Sequence, residues 1–209
     1  MKKFYVLIAS VMIAGAAMAQ SPVKFGLKAG GNFANINTSV SGFGSSVSQS
    51  ASSVTSFYVG GLATIPLGTK LSFQPELLLS SQGAKGESFD LDGNSYEGKS
   101  STLYLNLPLM VRYNIVAGLH GELGPQVGFL LSAKDKFQGE SFDSKDGYKS
   151  LDFGVNVGAE YQFPMGLFLN ARYNWGLSNI AKGMEEAEDF GVSAKVTNRV
   201  LSLGLGFRF

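Results

Sequence analysis

The sequence contains no cysteine. That absence excludes a disulfide framework, a thiolate metal site, a cysteine nucleophile and a lipid anchor attached through cysteine. Histidine occurs once, as His120, and charged residues make up only 16% of the chain. His120 shares a strand face with Glu122, as a general base would. No serine motif accompanies them, and one His with one Glu falls short of a triad. Beyond the first 19 residues no run of 18 apolar residues occurs, so no transmembrane helix is expected there.

What is present begins with Met1–Ala19, "MKKFYVLIASVMIAGAAMA". Two lysines, an apolar run too short to cross a bilayer as a helix, and Ala17-Met18-Ala19 predict a cleaved signal peptide over 1–19. The remaining domain is then 20–209, with fifteen basic residues against sixteen acidic ones. That balance gives no reason to expect a nucleic-acid partner. An exported chain of this kind resides in the periplasm, outside the cell, or in the outer membrane.

Hydrophobic residues alternate with polar or small ones in eight stretches, each at strand period. The fourth is the clearest: Leu103, Leu105, Leu107, Leu109, Val111 and Tyr113 oppose Tyr104, Asn106, Met110 and Arg112. Long connections of roughly 17 to 21 residues follow strands one, three, five and seven, whereas short turns follow strands two, four and six. The turns are Pro66–Thr69, Asn114–Gly118 and Pro164–Gly166. Loops sorted by length to opposite ends suit a meander that crosses a membrane.

The apolar rows carry aromatics at both ends and aliphatics between. Phe25, Phe73, Tyr113, Phe163 and Phe207 fall near the short turns, with Tyr173 and Trp175 near the long loops. Two aromatic girdles around an aliphatic band predict a wall facing lipid. A soluble barrel with an apolar ligand cavity shares the period and strand count, but not the girdles or the loop asymmetry. The expected fold is therefore all-β: an eight-stranded antiparallel up-and-down transmembrane β-barrel, with four long extracellular loops and short periplasmic turns. Ten strands stay open if the long loops hide another pair.

The polar rows then point into the lumen. They collect Lys24, Lys28, Arg112, Arg172 and Arg208, with Glu76, Glu122, Asp152 and Glu160. Gln74, Asn106, Gln126, Asn156, Gln162, Asn170 and Asn174 share those rows. An eight-strand barrel has room only for its own side chains, and unpaired charges there are costly. Lys24, Lys28, Gln74, Glu76, Arg112, Glu122, Glu160, Arg172 and Arg208 are accordingly expected to form a plugging network. The competing reading is a narrow, gated ion path along the same residues. The closing stretch "RVLSLGLGFRF" predicts a last strand paired to the first, which removes both sheet edges.

Several stretches resemble a known family: "FGLKAGGNFANI", "FQPELLLS", "LYLNLPLMVRYNI", "GELGPQVGFLLS" and "ARYNWGLSNI". They resemble the small outer-membrane β-barrel proteins of Bacteroidota, labelled PorT-like or "porin family". The closing Leu205, Phe207 and Phe209 resemble the signal read by the bacterial barrel-insertion machinery. The resemblance implies outer-membrane lipids and that machinery as partners. The PorT label implies a secretion or assembly complex for some members, and an extracellular protein partner stays open beside it.

The connections supply weaker signals. Asp90, Asp92, Asn94 and Glu97 alternate as calcium ligands can, but without the twelve-residue spacing, so a hairpin turn is expected. Gly86–Asp90 and Gly139–Asp143 repeat "GESFD" and predict two hairpins above the membrane. The serine-rich first connection is expected to be mobile. Met184–Asp189 is an acidic surface cluster. No catalytic residue, metal or cofactor is expected. The function expected is that of a non-enzymatic outer-membrane barrel with a plugged lumen, acting in envelope integrity or surface interaction through its loops. The alternative is a narrow transport channel or a PorT-like component of a secretion complex.

Overall fold

The period-two alternation produces strands because each strand can turn one row of side chains inward and the other outward. The computed structural model describes residues 23–42, 45–89, 95–137, 140–182 and 192–209. The expected signal peptide over 1–19, the first residues of the expected domain, Asp90–Asn94 and Met184–Asp189 lie outside the described residues.

The described residues form ten strands: β1 Lys24–Gly42, β2 Ser45–Ser50, β3 Ser52–Pro66, β4 Leu71–Phe89, β5 Ser95–Val116, β6 Leu119–Phe137, β7 Glu140–Asp143, β8 Leu151–Gln162, β9 Leu167–Gly176 and β10 Val192–Arg208. Eight of them form a closed antiparallel ring in the order β10-β9-β8-β6-β5-β4-β3-β1, shut by β1 against β10. The closing ladder runs from Gly26↔Arg208 to Gly42↔Val192, and the Phe209 amide donates to the Phe25 carbonyl at 2.9 Å. The eight-stranded expectation holds. β2 and β7 are additional strands that pair only with the upper parts of β1 and β6.

The wall strands continue well past the stretches that the alternation marks. β4 and β5 stay paired up to Phe89↔Ser95, and β6 with β7 from Lys134↔Asp143 to Phe137↔Glu140. The described parts of the two GESFD copies, Gly86–Phe89 and Glu140–Asp143, thus lie in hairpin arms, as their repeat suggests. The serine-rich first connection is largely a hairpin. β1 and β2 pair from Asn37↔Ser50 to Gly42↔Ser45, with Ser39 and Ser48 hydroxyls 2.9 Å apart and Val40 opposite Val47. Serine content obscured a β-branched residue at the paired positions, where cross-strand contact outweighs composition.

The opposite end of the ring is tight. β5 and β6 are joined by Ala117-Gly118, and Gly118 has φ +82°. A Cβ there would sit 2.8 Å from the Gln162 carbonyl oxygen, so both conformation and space require glycine.

Three prolines interrupt the wall. The β3–β4 ladder skips from Leu62↔Glu76 to Ile65↔Phe73. The β4–β5 ladder skips between Pro75↔Leu109 and Leu78↔Asn106, and β5–β6 between Pro108↔Gln126 and Val111↔Leu123. Each ladder resumes in the same register. Proline removes a donor without adding a residue, so the ladder breaks locally and no bulge forms at these sites.

Candidate functional site: a buried ion chain across the lumen

Outside the ring the apolar row is exposed. Phe25, Tyr113, Trp175, Leu205, Phe207 and Phe209 are each more than 40% accessible, whereas Phe73, Phe163 and Tyr173 are half-buried. Tyr173 packs edge-on against Trp175 with ring centroids 4.5 Å apart. Inside, the polar row is almost inaccessible, an inversion of the usual globular arrangement.

Near the tight-turn end, β1, β4, β5, β6, β8, β9 and β10 each contribute a charged side chain to one continuous chain of contacts. Glu76 is the hub. Lys28 Nζ lies 2.7 Å from Glu76 Oε2, and Arg172 donates to both Glu76 oxygens at 2.8 and 2.9 Å. Arg172 also donates to Glu122 Oε2 at 2.7 Å. Arg112 lies 3.6 Å from Glu122 Oε1 and pairs with Glu160 through Nη2. Arg208 closes the series, donating to both oxygens of Glu160 at 3.1 and 3.2 Å and to Gln162.

Gln74 stitches the charges together. Its amide donates to Glu76 Oε1 at 2.8 Å, and its oxygen accepts from Thr64 at 3.0 Å and Arg208 at 2.9 Å. Bidentate guanidinium–carboxylate contacts are the strong kind. In a low-dielectric lumen they must be near complete, because a charge without its partner is heavily penalised.

Lys24 departs from the expected network. It is exposed and joins none of these pairs. Its parity is correct, opposite Thr64, but it lies at the first residue of β1, where the lumen opens to solvent. Tyr58, Thr64 and Phe168 are among the inward residues that escaped the sequence reading. The Arg208 guanidinium lies 4.7 Å from the Phe168 ring centroid, and Tyr58 donates to Asn170 Oδ1 at 3.1 Å. Aromatic type suggests the lipid-facing row, yet Phe168 shares parity with Asn170 and Arg172, and that was the available signal.

Above the ion chain lies a cavity of about 30 Å³ among Asn32, Asn106, Asn156, Asn170, Asn174 and their neighbours. That is room for about one or two waters. Higher still, Asp152 is held by Asn198 at 2.8 Å and Ser178 at 2.7 Å. Tyr104, Leu130 and Ala133 form a buried cluster with Tyr148 against it. Tyr148 and Ser100 hydroxyls are 2.9 Å apart. Burial raises the Tyr148 phenol above its ordinary pKa, so it stays protonated at neutral pH and can donate. Beyond this closure, the arms enclose an open cleft of about 370 Å³ that includes Ile36, Ala84 and Asp135.

His120 sits at the tight-turn end, half-buried, with Nδ1 3.2 Å from the Gly118 carbonyl oxygen. Among the described residues no serine is placed against it.

Comparison with known proteins gives a family match. A family model described as "Outer membrane protein beta-barrel domain" matches residues 18–182. No curated protein matches the chain. Among solved structures, the chain is similar to Ail, the attachment invasion locus protein of Yersinia pestis, at 14% identity and TM-score 0.48, covering 90% of this chain and 100% of that one. Neisserial surface protein A gives 15% identity and TM-score 0.47 over the same shares. OprG from Pseudomonas aeruginosa gives 12% identity and TM-score 0.43, over 92% of this chain and 98% of that one.

Proposed function

The chain belongs to the outer membrane protein beta-barrel domain family, and from that membership we propose that it is a non-enzymatic barrel whose lumen is plugged, serving envelope integrity or surface interaction through its arms. The tight turns and both strand termini face the periplasm in this reading, and the hairpin arms face outward. The aromatics at the two ends of the wall mark the membrane interfaces, and residues 1–19 direct export. The observation that carries the proposal is the unbroken ion chain from Lys28 through Glu76, Arg172, Glu122, Arg112 and Glu160 to Arg208. A permeant ion would have to part several of these buried pairs. The cleft between the arms is where a surface partner would dock.

The test is single-channel recording from protein purified from outer membranes and placed in planar bilayers. No steady conductance is expected from the wild type, and at most sporadic openings from Arg112→Ala. A reproducible wild-type channel whose ion selectivity changes in Arg112→Ala would overturn the plug. It would favour the second reading, a narrow channel or a PorT-like part of a secretion complex, for which the polar cavity above the ion chain is the supporting observation.

A further expectation concerns biogenesis. Leu205, Phe207 and Phe209 act here as the insertion address as well as wall residues. Phe209→Ala loses one exposed ring and no lumen contact, so the folded barrel's stability should change little. Its amount in the outer membrane, measured by immunoblot against the wild type, should fall severalfold. An unchanged amount would remove the address role.

A further inference from the structure

The upper part of the wall holds an unusual arrangement of like charges. In register, Ser52 faces Lys85, Lys85 faces Lys99, Lys99 faces Lys136, and Lys136 faces Ser141. Three lysines therefore stand side by side on three adjacent strands, flanked by serines on the next two. All five are exposed. Among the described residues none of the three lysines has an ion-pair partner. Like charges directly opposite in a ladder destabilise it. One step above on the same face Glu87 faces Glu97, and one step below Lys134 faces Asp143.

Position decides what can neutralise the row. Lys85, Lys99 and Lys136 are exposed and have the outward parity, bordering the cleft between the arms, whereas Ala84, Ser100 and Asp135 beside them have the inward parity and line it. Below, the outward row becomes apolar at Leu103 and Leu131. Four residues separate Lys99 from Leu103, about 13 Å along a strand, or roughly 10 Å in height at an ordinary barrel tilt. Lysine stems reach down from there toward the bilayer surface. Phosphates carried on the saccharide part of a glycolipid in the outer leaflet would lie within that span. Clustered lysines beside a membrane gain attraction from each anionic headgroup.

We propose that Ser52, Lys85, Lys99, Lys136 and Ser141 form a clamp for the phosphates of an outer-leaflet glycolipid. The lysines supply charge and the serine hydroxyls supply donors to phosphate oxygens. The lipid anchors one side of the barrel and removes the repulsion that the ladder otherwise carries. This inference rests on the proposed orientation, with the arms outside.

The test uses protein purified from outer membranes and placed in phosphatidylcholine nanodiscs containing a fixed fraction of lipid A. Native mass spectrometry then counts the lipid A retained per barrel. Wild type is expected to retain it, and K85S/K99S/K136S to retain roughly tenfold less or lower still. Lys195→Ser, removing a lone exposed lysine on β10, should retain as much as wild type. Dephosphorylated lipid A should be lost from every variant. Equal retention by the triple variant, equal loss by Lys195→Ser, or retention of the dephosphorylated lipid would each overturn the clamp. None of these results bears on conductance, so the plug stands or falls separately. Orientation has its own readout: the chain has no native cysteine, so Lys99→Cys gives a single thiol. Labelling of that thiol from outside intact cells is expected, and labelling only after the outer membrane is opened would overturn orientation and clamp together.

Discussion

Glu76→Ala is expected to lower the unfolding free energy of the barrel by about 3–5 kcal/mol, the cost of breaking a buried ion pair by removing one partner. Lys28 and Arg172 both depend on that carboxylate, and both are nearly closed off from bulk water, with side chains 2% and 5% accessible and a cavity of about 30 Å³ beside them. Arg172 keeps Glu122 at 2.7 Å, but among the described residues Lys28 has no second carboxylate in contact. Urea unfolding from lipid vesicles, followed by the fluorescence of the lone tryptophan, Trp175, measures the loss. E76L/R172M removes both members of the strongest pair and should cost less than the two single changes added together. A Glu76→Ala loss of under about 1 kcal/mol, the range of an exposed pair, would show that water reaches the site and would remove the basis of the plug.

Gly204→Val should keep most chains from closing the ring. Gly30 and Gly204 face each other on β1 and β10, and Tyr58 from β3 lays its side chain across both. A Cβ on Gly204 would sit 2.0 Å from the Tyr58 hydroxyl oxygen and 2.6 Å from the Ala29 carbonyl oxygen. On Gly30 it would meet the Leu203 carbonyl oxygen at 2.2 Å and Tyr58 Cε1 at 2.7 Å. The expected penalty exceeds the about 1–3 kcal/mol usual for overpacking, because the backbone carbonyl cannot turn aside as a side chain can. Folded barrels migrate faster than unfolded chains on a gel loaded without heating, so the folded fraction is read directly. That fraction should fall at least severalfold for Gly204→Val and recover in part for G204V/Y58A, since the ring is the removable part of the obstruction. Normal folding of the single variant would mean that Tyr58 does not hold the seam.

How far the sequence could be read depended on the kind of information each feature needs. Leu103 to Tyr113 alternate so regularly that face and strand follow from period alone. The Gly118 turn is equally local. Lys24 shows where this stops: its parity is right, but whether a lumen-facing position is covered depends on how far neighbouring strands extend beyond it. Pro75, Pro108 and Pro125 show it again. A proline in a ring must interrupt pairing, yet only the registers on either side distinguish a bulge from a skipped bridge. Tyr58 and Phe168 went unassigned, because aromatic character suggests lipid where parity points inward.

The sequence by itself determined the all-β class, the eight wall strands, the sorting of long and short connections, and which row of each strand is apolar. These depend on side-chain alternation and turn chemistry, which act over a few residues. Only the tertiary structure decided the partners. Glu76 and Arg172 are 96 residues apart in the chain. They meet because closing the ring with a particular stagger sets the height of each strand relative to those across the lumen. The same stagger aligned three lysines from β4, β5 and β6 into one outward row. Stagger is a property of the whole closed ring, set by every register at once, and no single strand's sequence contains it.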